Sequence, residues 1–215
     1  MEVMSVNVGR PALLSHGGRR YSSAINRRRV EGAIELTEAG LAGDRVADAE
    51  NHGGPDKALC CYPHEHYRHW SEQLASTLEI PAFGENLTVA GLLEDQVAIG
   101  DTFRIGTATV QISQPRQPCA KLARKHDHAE LVRWVEQTGY TGFYLRTLEP
   151  GSLQAGDAIE PLDHPHPELT VARVMAVRFD RQPDADLLER LVDTEALSIV
   201  WREALAKRRA NRPPS

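Results

Sequence analysis

Apolar positions in the first 160 residues fall in short runs separated by Gly, Pro, Asn and Asp, a pattern typical of strands joined by tight turns. The runs predict strands at residues 3–8, 32–36, 58–62, 87–89, 102–105, 107–113, 143–147 and 158–162. Gly-Asp pairs at 43–44, 100–101 and 156–157 suit sharp turns, because glycine reaches positive φ and aspartate bonds nearby amides. Many short strands with such turns indicate a barrel or a sandwich.

Two helical patterns interrupt the strands. The first is predicted over residues 63–78, with Pro63 at the first helical position and an apolar face that contains Tyr67 and Trp70. The second is predicted over residues 128–138, where Asp127 and Glu130 form an analogue of a capping box. We therefore expect a mostly β fold with interrupting helices.

The pattern changes after a proline-rich stretch at residues 161–167. Its three prolines predict a stiff linker, because proline continues neither a strand ladder nor a helix interior. Apolar positions beyond it recur at helical spacing and predict helices over about 170–178, 185–192 and 198–209. The sequence thus predicts a mostly β domain at residues 1–162 and a small three-helix domain at residues 168–210.

Composition narrows the function classes. The chain has 215 residues, of which 41% are hydrophobic and 26% charged, so it can bury a core without disulfide or metal support. Its net charge of -5 gives no general attraction to nucleic acid or to an acidic membrane surface. We see neither a signal peptide nor an apolar run long enough to span a bilayer. Together with only three cysteines, this predicts a cytoplasmic protein in a reducing compartment.

Cys119 is the strongest candidate for chemistry. It follows the predicted strand at 107–113 in a loop that two prolines stiffen, so its position past a strand end is fixed. Arg116 and Lys121 flank it with positive charge, which favours the thiolate that attacks or ligates. The alternative is a half-buried loop cysteine with two solvated basic neighbours, and spacing alone does not decide between them.

Two glycine-containing segments are further candidates. Paired glycines allow backbone amides to form an anion-binding nest, to which a lysine adds charge; this pattern occurs at His52, Gly53, Gly54, Pro55, Asp56 and Lys57. The second segment, residues 83–87, offers polar groups for a heterocycle in Glu85 and Asn86. On the pattern alone, a simple β-turn is slightly favoured for the first segment and an ordinary strand entry is preferred for the second.

Other conspicuous residues have ordinary interpretations. Adjacent Cys60 and Cys61 should face opposite sides of a strand, one of them in the core. We expect His66 and His69 to lie on the polar side of a helix, because a zinc site needs three or four well-placed ligands. The arginine run at residues 27–29 should be solvated. The sequence contains no dinucleotide fingerprint, P-loop, nucleophile elbow or zinc-protease motif.

Taken in order, five motifs resemble the MOSC domain family, named after the C-terminal domain of molybdenum cofactor sulfurases. They are Gly43-Asp44, the segment 52–58, the segment 83–87, Gly100-Asp101, and the segment 114–119 that ends in Cys119. The linker and helical tail resemble the family's YiiM-type branch. The resemblance covers nearly the whole chain and implies a β-barrel like that of pyruvate kinase.

The resemblance also implies a function. It makes Cys119 the metal ligand of a molybdenum cofactor, in agreement with the preference of soft thiolate for such centres. It implies that the cofactor is held by Arg116, His52, Gly53, Gly54, Asp56, Lys57 and Lys121, with Glu85, Asn86 and His64 completing the set. The family is also associated with pyridoxal phosphate binding. The implied activity is reduction of N-hydroxylated compounds such as hydroxylaminopurine-type bases.

Partners follow from what the sequence lacks. No flavin, nicotinamide or iron–sulfur motif is evident, so electrons are expected from a separate reductase. Three alternatives stay open: a carrier that ferries cofactor or sulfur on Cys119 without turnover, a metal-free thiol enzyme, and a zinc protein using the 64–69 region. A homodimer is also left open.

Overall fold

A computed structural model describes residues 1–180 and 183–210, except for the side chains of residues 51 and 52. Thirteen strands are assigned: β1 (Glu2–Val8), β2 (Ala12–His16), β3 (Arg19–Ser23), β4 (Arg28–Arg29), β5 (Ile34–Thr37), β6 (Gly40–Leu41), β7 (Leu59–Pro63), β8 (Leu87–Ala90), β9 (Thr102–Ile105), β10 (Ala108–Pro115), β11 (Phe143–Glu149), β12 (Gly151–Leu153) and β13 (Ile159–Asp163). Seven helices are assigned in the same part: α1 (Ala49–His52), α2 (His66–Gln73), α3 (Ala120–Lys125), α4 (Leu131–Thr138), α5 (Val171–Phe179), α6 (Ala185–Asp193) and α7 (Ile199–Ala210).

An eight-stranded curled sheet forms the body of the molecule. Its strand order is β13-β9-β10-β11-β7-β8-β1-β4, and all pairs are antiparallel except β7 with β8. The two ends of the sheet meet where the amide of Val3 donates to Asp157 and the amide of Ile159 donates to Met1. These bonds curl the sheet around one apolar interior and confirm the predicted mostly β, barrel-like class.

The predicted strands all appear, with ends shifted by at most two residues. The hairpin of β2 and β3 and the short strands β4, β6 and β12 carry too few apolar residues to stand out in the sequence. β13 includes Pro161 and ends at Asp163, so the first part of the expected linker is strand. Proline is tolerated there because β13 lies at an edge of the sheet, where one side of the backbone needs no partner.

The interrupting helices begin later than predicted. Pro63 ends β7 and pairs with Val89 of β8, so it is not the first residue of α2. Asp127 has a φ of +49° and lies outside α4, whose N-cap is Glu130 without a side-chain bond. The capping-box prediction is therefore wrong, because α3, which was not expected, ends at Lys125 and the chain must turn sharply before α4.

Helices α5, α6 and α7 match the three predicted tail helices. Thr170 and Asp184 cap α5 and α6, each accepting a bond from the amide three residues on. The first and last of these helices are tied to the sheet region by backbone bonds, in which Val171 donates to Val97 and Ser198 donates to Ser113.

Two apolar clusters hold the fold together. The larger runs from the sheet interior into the tail helices and includes Val6, Ile112, Val174, Leu188 and Trp201. The smaller surrounds α2 and α4 at the outer side of β7 and is built on Trp70, Tyr62 and Phe83. No helix in residues 1–180 and 183–210 is long and apolar enough to cross a membrane.

Candidate functional site

A pocket of about 400 Å³ opens between the sheet and the loops that precede β7. We call it the barrel pocket. Its walls come from five separate stretches of the chain, which contribute Arg27, Asp44, Lys57, Cys60, Arg116 and Cys119 among others. A cavity of this size suits a small organic ligand.

Cys119 lies at the rim of this pocket. β10 ends at Pro115, and α3 starts at Ala120 directly after the cysteine. Cys119 is therefore the N-cap residue, with extended backbone and no side-chain bond to the helix. Its side chain is half-buried and is not in a disulfide. The sulfur is thus fixed in place by a strand end and a helix start, as the sequence predicted.

The charge of the barrel pocket is strongly positive. Among the residues whose side chains the structure describes, five basic ones line it against one acidic residue. They are Arg27, Arg45, Lys57, Arg116 and Lys121, and the acid is Asp44. Basic side chains in a partly closed cavity concentrate positive potential, so the pocket favours an anionic ligand.

Four successive carbonyls in the loop before β8 each accept a hydrogen bond from a basic side chain. Pro81 accepts from Lys125 at 2.9 Å, and Ala82 is bonded to the Nε2 atom of His126 at 2.9 Å. The next two accept from arginines of the pocket: Phe83 from Arg116 at 2.6 Å and Gly84 from Arg27 at 2.5 Å. We call residues 81–84 the carbonyl loop. It sets the positions of both arginines at the pocket wall.

Arg116 is the more deeply buried of these arginines, with 8% of its surface exposed. Burial alone lowers the pKa of Arg116, but the electrostatic effect of the surrounding titratable groups outweighs it and the net pKa is raised. Its guanidinium therefore stays charged inside the protein. A fixed buried cation of this kind is ready to meet a phosphate or carboxylate.

Arg27 belongs to the arginine run that was expected to be solvated, and for this residue the expectation is wrong. Its guanidinium pairs with Asp44 through Nε–Oδ1 at 3.1 Å and Nη2–Oδ2 at 2.9 Å. The two side chains are 9% and 11% exposed. Arg28 and Arg29 are exposed in β4. Alternation along an extended run would not have found Arg27, because it would place Arg27 and Arg29 on the same side and Arg29 is exposed.

The two predicted polar residues of the 83–87 segment face different ways. Asn86 lines the barrel pocket, where its Nδ2 donates to Asp44 at 3.0 Å. Glu85 is fully buried on the other side and accepts from the amide of Phe83, the hydroxyl of Thr88 and the hydroxyl of Tyr67. Glu85 therefore fastens the carbonyl loop and does not line the pocket.

Both glycines of the 52–57 segment line the pocket, but the amide of Gly53 is not free to take part in an anion-binding nest. The amide of Gly53 donates to Ala49 at 3.1 Å and is used within the helical turn. Gly54 leads into the short turn Pro55–Lys57. Its φ of +95° is one that a residue with a side chain would adopt only under strain. Lys57 is half-buried, and burial lowers the pKa of its amine against the opposing effect of Asp56 and Asp48.

Asp56 lies outside the pocket lining. Its carboxylate pairs with Arg146 of β11 at 2.7 Å. The backbone carbonyl of Asp56 accepts from Ser113 at 2.6 Å. Asp56 therefore fastens the turn to the sheet. His52 belongs to α1, and its side chain lies outside the described part of the structure.

The histidines near α2 do not gather into a metal site. His64 is exposed, lies outside the barrel pocket and stacks on Tyr67. His66 was expected on the polar side of the helix but is buried, with its Nε2 2.7 Å from Glu94 and its ring stacked on Tyr140. In residues 1–180 and 183–210, without the side chains of 51 and 52, no group of three potential metal ligands occurs among His, Cys, Asp and Glu.

Cys60 and Tyr144 line the pocket and were not among the predicted site residues. Both cysteines of the 60–61 pair are buried, and Cys60 faces the pocket while Cys61 joins the core. Burial raises the pKa of the Cys60 thiol although Arg116 and Arg27 oppose the change. Two thiols thus face one cavity, and that of Cys60 is held in its protonated form.

Lys125 yields a prediction on pH dependence. Burial lowers the pKa of its amine from 10.5 to about 8, and Arg116 acts in the same direction while Glu85 opposes it. Between these pH values the unfolded chain binds more protons at this residue than the folded chain, so its contribution to the free energy of unfolding rises with pH. We expect the stability of the wild type relative to Lys125→Met, measured by urea denaturation, to increase from pH 8 to about 10.5.

The exposed substitution Lys207→Met controls for the loss of one charge. If the difference in the free energy of unfolding between wild type and Lys125→Met stays constant over this pH range, the amine is hydrated in the folded protein and the prediction is wrong.

Comparison with known proteins shows the family to which the chain belongs. The family model described as MOSC domain matches residues 48–160, and the model described as YiiM-like, 3-alpha helix domain matches residues 169–212. The crystal structure of YiiM from Geobacillus stearothermophilus superposes with a TM-score of 0.83 at 35% identity, covering 97% of this chain and 98% of that one.

Three relatives match most of this chain. The uncharacterized protein YflK of Bacillus subtilis (strain 168) is 44% identical over 96% of this chain and 94% of its own length. Protein YiiM of Escherichia coli (strain K12) is 40% identical over 87% of this chain and 84% of its own length. A protein named reductase from Gibberella moniliformis is 30% identical over 86% of this chain but only 34% of its own length. The chain belongs to the MOSC family, in the branch that carries the YiiM-like three-helix domain.

Proposed function

We propose that this protein is a molybdenum-cofactor-dependent reductase of N-hydroxylated compounds, in which Cys119 is the protein ligand to the metal. The observation that carries the proposal is the position of the Cys119 sulfur, at the rim of a pocket lined by five basic side chains. A molybdenum cofactor combines a soft, sulfur-bound metal with an anionic phosphate, so it needs a soft ligand and cations within one cavity.

The residues present fit such a group. Arg116 and Lys57 would hold the phosphate, because one is fixed by the carbonyl loop and the other follows the glycine turn at the pocket wall. The amide of Asn86 would meet polar edges of the pterin. Lys121 lies two residues after Cys119 on α3 and adds positive charge beside the sulfur. Pyridoxal phosphate is also an anionic cofactor, but it fits the pocket less well, because the thiol at the rim would contribute nothing to its binding.

The reaction converts R–NHOH, two electrons and two protons into R–NH₂ and water, so that the N–O bond breaks and the electron donor is oxidised. When bound, the cofactor supplies the two-electron redox chemistry of this step. The chain's own residues would bind and orient it, with Cys119 half-buried at the pocket wall. Protonation of Cys60 keeps that second thiol from competing with Cys119.

The need for a separate electron donor is supported by the relative named reductase. The present chain corresponds to 34% of that protein, and the remaining length has no counterpart in these 215 residues. If the remaining length of that protein contains its electron-donating module, the present chain would need a separate protein for the same task. The partner of this chain would then be a flavin- or cluster-containing reductase.

The test is the metal dependence of activity. Protein produced in cells that make molybdopterin should contain about one molybdenum per chain by elemental analysis. With a chemical reductant it should convert a hydroxylamine or amidoxime into the amine. Protein from molybdate-starved cells should be inactive.

The rival functions predict other results. A carrier would contain molybdenum and turn over no substrate. A metal-free thiol enzyme would keep its activity after molybdate starvation and lose it on alkylation. Zinc without molybdenum, unchanged by His66→Ala, would contradict both the proposed function and the histidine site.

A further inference from the structure

A second cavity, of about 550 Å³, lies between the sheet, α3 and the tail helices. We call it the tail groove. It shares Lys57, Gln117, Cys119, Lys121 and Tyr144 with the barrel pocket, so Cys119 borders both cavities. In the proposed function the cofactor occupies the barrel pocket. The tail groove is therefore a second approach to the metal ligand.

The groove continues along α7 towards the end of α5. A further cavity, of about 280 Å³, is lined by Phe179 and Arg208, and Arg178 and Ala204 line both this cavity and the tail groove. Val200, Ala204 and Arg208 are spaced four residues apart and so lie on one side of α7. We call the surface formed by the two cavities the tail face. It extends from the rim of the barrel pocket to the C-terminal turn of α5.

The charge of the tail face is opposite in sign to that of the whole chain. Among the described residues, five basic side chains line it against one acidic side chain, that of Asp48. The basic residues are Lys57, Lys121, Arg124, Arg178 and Arg208. The whole chain has a net charge of -5, so this local excess of cations does not follow from the composition. A concentrated charge of this kind attracts an acidic surface and speeds its arrival.

Two arginines of the tail face are exposed and yet held in position. The guanidinium carbon of Arg124 lies 4.8 Å from the centre of the Tyr21 ring. Arg178 donates from Nη1 to the amide oxygen of Gln117 at 3.0 Å, in the amide orientation that satisfies both groups. Because both arginines are exposed, their charges remain accessible to a partner. Their contacts lower the side-chain entropy that an ion pair with the partner would cost.

Exposed apolar side chains accompany these cations. Phe179 is 48% exposed and Val200 is 56% exposed, and both line the tail face. A docked protein would remove this apolar surface from water, whereas a small anion such as phosphate would not. Weak electron-transfer complexes bury less than about 1,200 Å², so a large apolar interface is not required. The tail face therefore suits an acidic protein surface better than a small anion.

We propose that the tail face is the docking surface for the electron donor and that this donor presents an acidic surface around its redox group. The inference rests on the proposed function, which requires electrons from a separate protein. A donor seated on the tail face approaches Cys119 through the tail groove and leaves the barrel pocket to the cofactor and the substrate. The redox group of the donor is oxidised, and two electrons with two protons convert R–NHOH into R–NH₂ and water.

The experiment compares two electron sources for metal-loaded protein that reduces a hydroxylamine. The first is photoreduced flavodoxin, a small acidic protein that carries flavin mononucleotide. The second is reduced methyl viologen, a small cation that needs no docking surface. The rate with flavodoxin should fall at least about tenfold between about 0.01 M and about 0.15 M sodium chloride, because salt screens the attraction. The rate with methyl viologen should not fall. Turnover with methyl viologen but none with flavodoxin at low salt would contradict the proposal.

Arg124→Glu and Arg178→Glu locate the docking surface. Each reverses one charge of the tail face, and neither arginine lines the barrel pocket. Each variant should lower the rate with flavodoxin at least about tenfold at low salt and should leave the rate with methyl viologen unchanged. Arg104→Glu is the matched control, because this exposed arginine of β9 lines neither cavity of the tail face. Equal losses in Arg104→Glu and Arg178→Glu would overturn the assignment, since only net charge would then matter.

Phe179→Ala tests the apolar part of the tail face. It should lower the rate with flavodoxin several-fold at every salt concentration, because sodium chloride does not screen apolar contact. Its rate with methyl viologen controls for folding. An unchanged rate with flavodoxin would contradict the proposed contact.

The remaining outcomes separate the docking surface from the proposed function. If neither electron source supports reduction, the proposed function fails. If methyl viologen supports reduction and all tail-face variants match the wild type with flavodoxin, only the docking surface is wrong. Binding of DNA or of a second copy of this chain to the tail face, together with unchanged flavodoxin rates in the variants, would assign the face to that partner and overturn the proposal.

Discussion

Cys119→Ser is expected to lower the molybdenum content and the metal-dependent reductase activity by more than about 100-fold. Loss of a hydrogen-bonding partner of a metal ligand costs 10- to 100-fold, so loss of the ligand atom should cost more. The hydroxyl that replaces the thiol is a harder and less acidic donor, unsuited to a sulfur-rich centre. Elemental analysis and an assay with a chemical reductant measure the two quantities.

The position of Cys119 makes this variant unusually informative. The residue is the N-cap of α3 and makes no side-chain bond to the helix, whereas serine is a preferred N-cap residue. The folded state should therefore keep its melting temperature, and loss of metal cannot be ascribed to unfolding. Cys60→Ala is the matched control, because that thiol faces the same pocket and should not bind the metal. Full metal content in Cys119→Ser would contradict the proposed ligand.

Arg27→Met is expected to lower the free energy of unfolding by about 3–5 kcal/mol. The substitution keeps most of the side-chain volume but leaves the Asp44 carboxylate buried without its counterion. Burial lowers the pKa of Arg27, but the bond to Asp44 outweighs this effect and the net pKa is raised, so the pair is ionised. Urea denaturation of the variant measures the loss.

Two controls isolate the buried charge as the cause. Combining Arg27→Met with Asp44→Asn removes both charges and should restore part of the stability, because the amide can still accept from the Gly9 amide. Arg68→Met breaks an ion pair whose partners are 88% and 66% exposed, and it should lower the free energy of unfolding far less, because water screens that pair. Equal losses in Arg27→Met and Arg68→Met would mean that the Arg27–Asp44 pair is hydrated in solution.

The sequence predicted the parts of this fold that have strong local signals. Strand β9 has the predicted ends, and the tail helices begin within a residue of their predicted starts, because their apolar periodicity is set by burial on one face. Pro63 and Asp127 misled because the properties that suit them to a helix start also suit a strand end and a tight turn. Local preference cannot distinguish these uses without the tertiary contacts.

The residues of the candidate site also fall into two groups, those with a local sequence signal and those set by tertiary contacts. Cys119 and Arg116 were evident because they stand in one stiff loop. Glu85 faces away from the pocket because it bonds to the buried Tyr67, and Asn86 faces the pocket because it bonds to Asp44 of the Arg27–Asp44 pair. These contacts join distant segments, so the local sequence does not reveal them. Arg27 and Cys60 were missed for this reason. Their part in the pocket arises only from strand order.

The carbonyl loop has a consequence for how this family can vary. Its four acceptors belong to the backbone, so the bonds to Lys125, His126, Arg116 and Arg27 depend on the spacing of the carbonyls along the chain. A deletion or insertion of one residue would shift every oxygen to the wrong cation at once. The composition is restricted as well, because Phe83 is buried in the smaller cluster and Gly84 has a φ of +72° with no space for a side chain. Among relatives, a natural change in the length of this segment should coincide with the loss of both arginines.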